Sequence, residues 1–131
     1  PYSGVISIFA DKILKHQPIT IFGDGEQTRD FVHVKDVVRF LLAGMARGRD
    51  NPEIYNVCTG RQTSLNQLVQ YMFQEAGHQV PIVFSSPRPG DIRYSLGDPT
   101  FGANNLGLCA AQGMAGGLRE LLAYMGSGCR R

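Results

Sequence analysis

The sequence predicts a small α/β domain. Stretches with a helical apolar period alternate with short apolar runs along the chain. Those runs are few, and the loops between them are polar. Such a set makes an incomplete sheet rather than a full doubly wound one, so the domain is expected to be a small lobe that leans on something larger. At 131 residues it has the length of one domain and can bury a core of its own.

The first helix is expected from about Gly4 to His16, with Ser3 able to cap it. Val5, Phe9 and Ile13 share one face with Ile6 and Leu14. Pro18 stops it, and ITIF, residues 19–22, reads as a strand. A glycine turn follows, GDGEQ, and then a second apolar run, DFVHV, read as another strand. Lys35 to about Arg47 predicts a helix whose stripe is Val38, Leu41, Leu42 and Met45, broken by Gly48, Asn51 and Pro52. IYNVCT is a third strand candidate. Ser64 and Gln67 have capping-box spacing, and the helix after them gathers Leu65, Leu68, Val69, Met72, Phe73 and Ala76 before Gly77 closes it. PIVFSS is the last strand candidate. The loop SPRPGD leads into IRYSLGD, and two weaker helical stretches lie near residues 100–105 and 116–125.

Composition excludes several classes. The formal charge is only +2, and the basic residues are scattered without interleaved aromatics, so nucleic acid is not an expected partner. No apolar run approaches the roughly 18 residues of a membrane span. The 3 cysteines, Cys58, Cys109 and Cys129, are odd in number and form no CxxC pattern. They suit neither a disulfide framework nor a zinc site, and a cytoplasmic setting is expected. Cys58, inside IYNVC, reads as a core residue. His33 in FVHVK reads as a structural histidine rather than a catalytic one, and His16 and His78 as surface residues at helix ends.

The glycine turn invites a dinucleotide reading and fails it. The fingerprint G-x-G-x-x-G follows a strand and opens a helix. Gly23 and Gly25 fit, but the third position is Thr28 and a strand is expected to follow.

Three segments resemble a known family: ITIFGDGEQTRDFVHVKDVV, YNVCTGRQTSL and RPGDIRYSLGDP. They are similar to the C-terminal part of extended short-chain dehydrogenases, the NAD-dependent nucleotide-sugar epimerases and dehydratases, and within these to the UDP-glucose 4-epimerase-like group. The resemblance runs from PYSGVISIF to GLRELLAYM. It implies that residues 1–131 are the C-terminal substrate-binding lobe of an extended short-chain dehydrogenase, lacking the Rossmann lobe. In the family that missing lobe carries NAD and a Tyr-x-x-x-Lys pair. Four residues beyond the tyrosines Tyr2, Tyr55, Tyr71, Tyr94 and Tyr124 stand Ile6, Thr59, Glu75, Asp98 and Gly128, so the pair is not in this sequence. The chain, with its abrupt start at Pro1, is expected to be a fragment of a longer enzyme, to bind no cofactor itself and to be inactive alone.

The resemblance also implies a set of substrate-binding residues. Arg29 is the first. A guanidinium fork matches phosphate oxygens, and the family sets an arginine here near the substrate diphosphate. A surface ion pair with Asp30 or Glu26 is the alternative. Arg88 and Asp91 straddle the Pro-Gly turn. Arg88 suits a phosphate and Asp91 the ribose hydroxyls, or the two form a turn bridge with each other. Thr20 and Phe22 flank Ile21 on one strand face, and the family reads the base edge through this strand's main chain. Gly4 and Val5 stand at the first helix N-terminus, which the family brings near the phosphates, or which Ser3 simply caps.

The leading expectation is a UDP-sugar partner, UDP-glucose or UDP-galactose or their N-acetylated pair, with NAD bound by the missing lobe. A dTDP-glucose 4,6-dehydratase-like or decarboxylating relative is the alternative, and a non-catalytic binding or assembly module is another. Self-association is expected through the face that the missing lobe would cover, at Phe22, Val34 and the apolar side of the first helix.

Overall fold

A computed structural model describes residues 4–48 and 53–128. Ser3, Asn51, Pro52 and Cys129 lie outside them.

Helix α1 (Val5–Leu14) buries Phe9, Ala10 and Ile13, with Val5, Ile6 and Leu14 against the same core. Strand β1 (Ile19–Phe22) alternates as a strand with one covered face must. Ile19 and Ile21 are fully buried, while Thr20 is exposed and Phe22 half-buried. After the glycine turn come β2 (Thr28–Arg29), a strand of two residues only, and helix α2 (Val34–Arg47). β3 (Thr63–Ser64) runs straight into α3 (Leu65–Ala76), whose capping box is complete: Ser64 accepts from the Gln67 N–H, and Gln67 accepts from the Ser64 N–H. Gly77 ends α3 in the left-handed conformation, as its position predicts. β4 (Ile82–Ser85) pairs in parallel with β1, Ile19 opposite Ile82 and Phe22 opposite Ser85. Helices α4 (Thr100–Leu106) and α5 (Met114–Gly126) complete the chain.

The α/β class stands. Among the described residues the sheet is reduced to two pairs, β1 with β4 in parallel and β2 with β3 antiparallel. The core lies where α1, α3 and α5 meet and close over β1. Leu68, Val69 and Met72 of α3 have no exposure there. Each such burial stabilises the fold by about 1.5–3 kcal/mol. β1 therefore has one face sealed by helices, and its other face looks out beside the 86–92 loop.

Three expectations are corrected. Asp30–His33 is not a strand, because its side chains bind elsewhere. Asp30 accepts from the N–H and hydroxyl of Thr59 and from the N–H groups of Gly60 and Gly97, and His33 Nδ1 accepts from the Lys35 N–H as the cap of α2. IYNVCT is not a strand either. Cys58 is buried as expected, but Thr59 and Gly60 give their N–H groups to a carboxylate rather than to a neighbouring strand. Finally, the stripe of α2 does not enter the core. Val38, Leu41, Leu42 and Met45 are exposed, Met45 by 80%, and Asp36 and Phe40 turn inward instead. Phe40 seats on α4 at Gly102, where a Cβ would come within 2.9 Å of its ring.

His78 also departs from expectation. It is half-buried, and its Nε2 lies 3.0 Å from the Ile13 carbonyl near the end of α1. Its ring stacks at 4.3 Å on that of His16, which is exposed as expected.

Candidate functional site

The outward face of β1, the adjoining face of α1 and the RPGD loop enclose a cavity of about 490 Å³. Small-molecule sites span roughly 300–1,000 Å³. Val5, Thr20, Phe22, Arg29, Arg88 and Asp91 all line it. These are six of the seven substrate residues expected from the sequence. The seventh, Gly4, is the N-cap of α1, exposed, with no side-chain cap bond, and is not among the lining residues.

Each lining residue is placed by local chemistry. Thr20 and Phe22 face the cavity because Ile19 and Ile21 are claimed by the core. Arg88–Asp91 closes as a turn in which the Asp91 N–H donates to the Arg88 carbonyl, 3.2 Å, with Gly90 at φ +78°. That dihedral is the one a type II turn asks of its third residue, and only glycine takes it freely. The turn carries Arg88 over the Phe22 ring, 3.8 Å from its centre. No carboxylate among the described residues pairs with Arg88, so the turn bridge to Asp91 does not form.

Arg29 has other partners than the sequence suggested. Asp30 is engaged with the 59–60 and 97 loops. Burial alone would raise the Asp30 pKa, but the bonds from Thr59, Gly60 and Gly97 outweigh it and hold the carboxyl below its usual range. Arg29 instead reaches the loop: one terminal nitrogen donates to the carbonyls of Thr28, 2.8 Å, and Ile92, 2.6 Å, and the other meets Asp91 Oδ1 at 2.6 Å. A guanidinium has five N–H donors. These contacts occupy three, which leaves two to offer a ligand.

Two lining residues escaped the sequence reading. Lys12 lies on the same α1 face as Val5, Ile8 and Phe9, a spacing that could have revealed it. Gln27 is 5% exposed. Its amide nitrogen donates to the Phe22 carbonyl at 2.6 Å, and its amide oxygen is buried without a partner. It stands two residues before Arg29, so in extended chain the two share a face.

The lining thus offers three cations, one carboxylate, a hydroxyl and the apolar surfaces of Val5, Ile8, Phe9 and Leu65. It contains no Ser, Cys, His or Tyr. The arrangement suits holding an anionic, partly planar molecule. The glycine turn joins β1 to β2 rather than opening a helix, and at Gly25 a Cβ would lie 2.2 Å from Asn66 Oδ1. His33 caps α2 and packs on Gly117, and burial first and the Asp30 charge second push the Cys58 thiol pKa up. Among the described residues no group of His, Cys, Asp or Glu could hold a metal ion, and no helix is long and apolar enough to cross a membrane.

Residues 2–58 match the model of the NAD dependent epimerase/dehydratase family. The chain resembles that family by sequence and by fold. A putative UDP-glucose 4-epimerase of Methanocaldococcus jannaschii is 48% identical over 90 residues, 69% of this chain and 28% of that protein. The solved UDP-glucose 4-epimerase of Thermotoga maritima, with UDP-glucose, is 35% identical. It superposes with a TM-score of 0.91 over 99% of this chain and 41% of its own. MoeE5, solved in complex with UDP-glucuronic acid and NAD, is 31% identical with a TM-score of 0.88, over 94% of this chain and 41% of its own. The chain therefore spans less than half the length of these relatives.

Proposed function

We propose that this chain is the C-terminal, nucleotide-sugar-binding lobe of an NAD-dependent sugar 4-epimerase acting on a UDP-sugar. One observation carries the reading: six residues chosen from sequence, drawn from α1, β1, β2 and the RPGD loop, converge on one cavity of suitable size. Arg29 and Arg88 hold the diphosphate, since two forked cations match two adjacent phosphates. Asp91 accepts from the ribose hydroxyls, the main chain of Thr20–Phe22 reads the base, and the N-terminus of α1 at Gly4 and Val5 faces the phosphates. NAD, on this reading, is held by residues outside this chain; the fingerprint begun by Gly23 and Gly25 is broken at Thr28, which supports this.

The test is calorimetry on the full-length enzyme that carries this sequence. Arg88→Ala and Arg29→Ala each weaken UDP binding by about 1.5–3 kcal/mol, the scale of a lost charged hydrogen bond, and leave NAD binding unchanged. Normal UDP affinity in both variants rejects the assignment. The 131-residue chain alone, given NAD and UDP-galactose, shows no epimerase activity in a coupled assay, because it lacks the Tyr-x-x-x-Lys pair. Turnover there sinks the two-lobe reading.

A further inference from the structure

The loop that bears Arg88 and Asp91 has almost no core of its own. Residues 86–94 are exposed throughout. A segment with so few buried contacts opens at little cost unless something else pins it. Two arginines pin it, and they run in opposite directions. Arg29 reaches from β2 to the loop, where it meets the Asp91 carboxylate and the Ile92 carbonyl. Arg93 reaches from the loop back to the glycine turn, where both its terminal nitrogens meet Asp24, at 2.7 and 2.8 Å. Between the two pairs the main chain of Thr28 closes a short ladder: its N–H donates to the Arg93 carbonyl at 2.9 Å, and its carbonyl accepts from the Ser95 N–H at 3.2 Å.

The Arg29 contact differs in kind from an ordinary surface pair. Its side chain is 28% exposed and that of Asp91 36%. One guanidinium spans three acceptors on two segments, a geometry that a lysine ammonium on a flexible stem does not reproduce. The position of the loop also decides the shape of the site. A second cavity, about 470 Å³, lies on the far side of the loop. Phe22, Gln27, Arg88 and Asp91 line both. The stack of Arg88 on Phe22 is therefore a partition, and it stands where the loop puts it.

We infer that Arg29 is a positioning residue for the RPGD loop: by bridging Thr28, Ile92 and Asp91 it sets Arg88 over Phe22 and so defines the wall of the nucleotide-sugar cavity. This rests on the proposed function only for what the cavity holds. The loop's attachment is a property of the chain without ligand.

Amide hydrogen exchange on the ligand-free 131-residue chain tests it. In Arg29→Ala the peptide covering residues 88–95 exchanges faster by on the order of tenfold, the scale of one lost charged hydrogen bond, while α3 keeps its protection. Arg29→Lys recovers only part of this. Asp91→Ala removes the carboxylate end of the strap and leaves β2 untouched, so it speeds the same peptide even if Arg29→Ala unfolds the chain. Unchanged loop exchange in Arg29→Ala, or in Asp91→Ala where Arg29→Ala unfolds, overturns the inference and reduces Arg29 to a ligand contact. A uridine titration of the full-length enzyme adds a second readout. Uridine has no phosphate, so a mere phosphate ligand predicts no change in Arg29→Ala, whereas a misplaced Asp91 predicts weaker binding. Because the exchange arm contains no ligand, it can fail while the UDP assignment stands, and the reverse.

Discussion

Helices α3 and α2 carry the same kind of sequence and end in opposite situations. Each places large apolar residues at i, i+3, i+4 and i+7, from Leu65 in α3 and from Val38 in α2, and each stripe would be read as a core face. In α3 the stripe is buried: Leu68, Val69 and Met72 have no exposure, and α1 and α5 pack over them. In α2 the stripe of Val34, Val38, Leu41, Leu42 and Met45 is left in the open, and the inner side holds Phe40 and the carboxylate of Asp36. An amphipathic pattern announces that a face meets an apolar partner. It does not say that the partner belongs to the same chain. The relatives, more than twice as long as the part matched here, are where such a partner would be sought.

Truncating both stripes breaks or confirms the contrast most sharply. Leu68→Ala removes buried atoms from a packed core and costs about 2–5 kcal/mol. Leu41→Ala removes atoms already in water and stays within about 0.5 kcal/mol. Urea unfolding of the two variants measures this directly. Comparable losses at the two positions would mean that α2 is covered after all.

A second difference lies in what holds each helix. α3 is held chiefly by apolar contact, with one ion pair at its edge, Glu75 to Arg119 of α5 at 2.7 Å. α2 is held at Asp36, which accepts from Arg39 at 2.9 Å and from the N–H groups of Ala111 and Gln112 at 3.1 and 2.9 Å. Burial pushes the Asp36 pKa up, but the two N–H bonds and Arg39 outweigh it, and the net shift is downward. The sign follows. A carboxylate whose folded pKa lies below its unfolded value, about 3.9, stabilises fully above that value and loses its contribution as pH falls through the folded pKa. Acid therefore loosens α2 and the 109–113 segment before α3. Asp36→Ala does the same at neutral pH, at a cost of about 1–3 kcal/mol for the orphaned donors. Carboxyl carbon NMR, with amide shifts followed alongside, checks it. A midpoint for Asp36 near 4, or α3 amides moving in step with it, would erase the distinction.

What was legible in the sequence divides along the same line. The capping box at Ser64 and Gln67, the stop at Gly77 and the turn at Pro89–Gly90 were readable because neighbours along the chain decide them. The seven candidate site residues were named through a family resemblance, and six of them line one cavity. The strand expected at DFVHV was not to be found, because Asp30 and His33 spend their side chains on partners remote in sequence or on a helix cap. The partner of Arg29 was out of reach for the same reason: Asp91 lies 62 residues away, while the plausible partners Asp30 and Glu26 stood beside it. The outward turn of α2 depended on Phe40 meeting Gly102, a contact no local pattern encodes. On the face expected to lean on a larger lobe, Phe9 and Ile13 of α1 go to this chain's own core and Phe22 lies under Arg88, while Ile8 and Val34 stay exposed.

The smallest effect on stability should accompany a clear effect on association. Exposed apolar patches beyond roughly a few hundred Å² mark interfaces, and the α2 stripe runs continuously over three turns. In the isolated 131-residue chain we expect a second copy to cover it, since two such stripes are complementary in the one property they share. Leu41→Glu places a charge at the middle of the stripe, where 61% exposure leaves it hydrated in the monomer. Unfolding midpoints should move by no more than about 0.5 kcal/mol. Association should fall, because pairing two copies would now bury two like charges without partners. Sedimentation velocity over a concentration series separates the outcomes. A wild-type chain that sediments as a monomer throughout would mean that α2 tolerates water as it stands. Association that persists unchanged in Leu41→Glu would move the contact to another face, with Ile92, Tyr94 and Leu96 of the 92–96 segment as the next exposed apolar residues to vary.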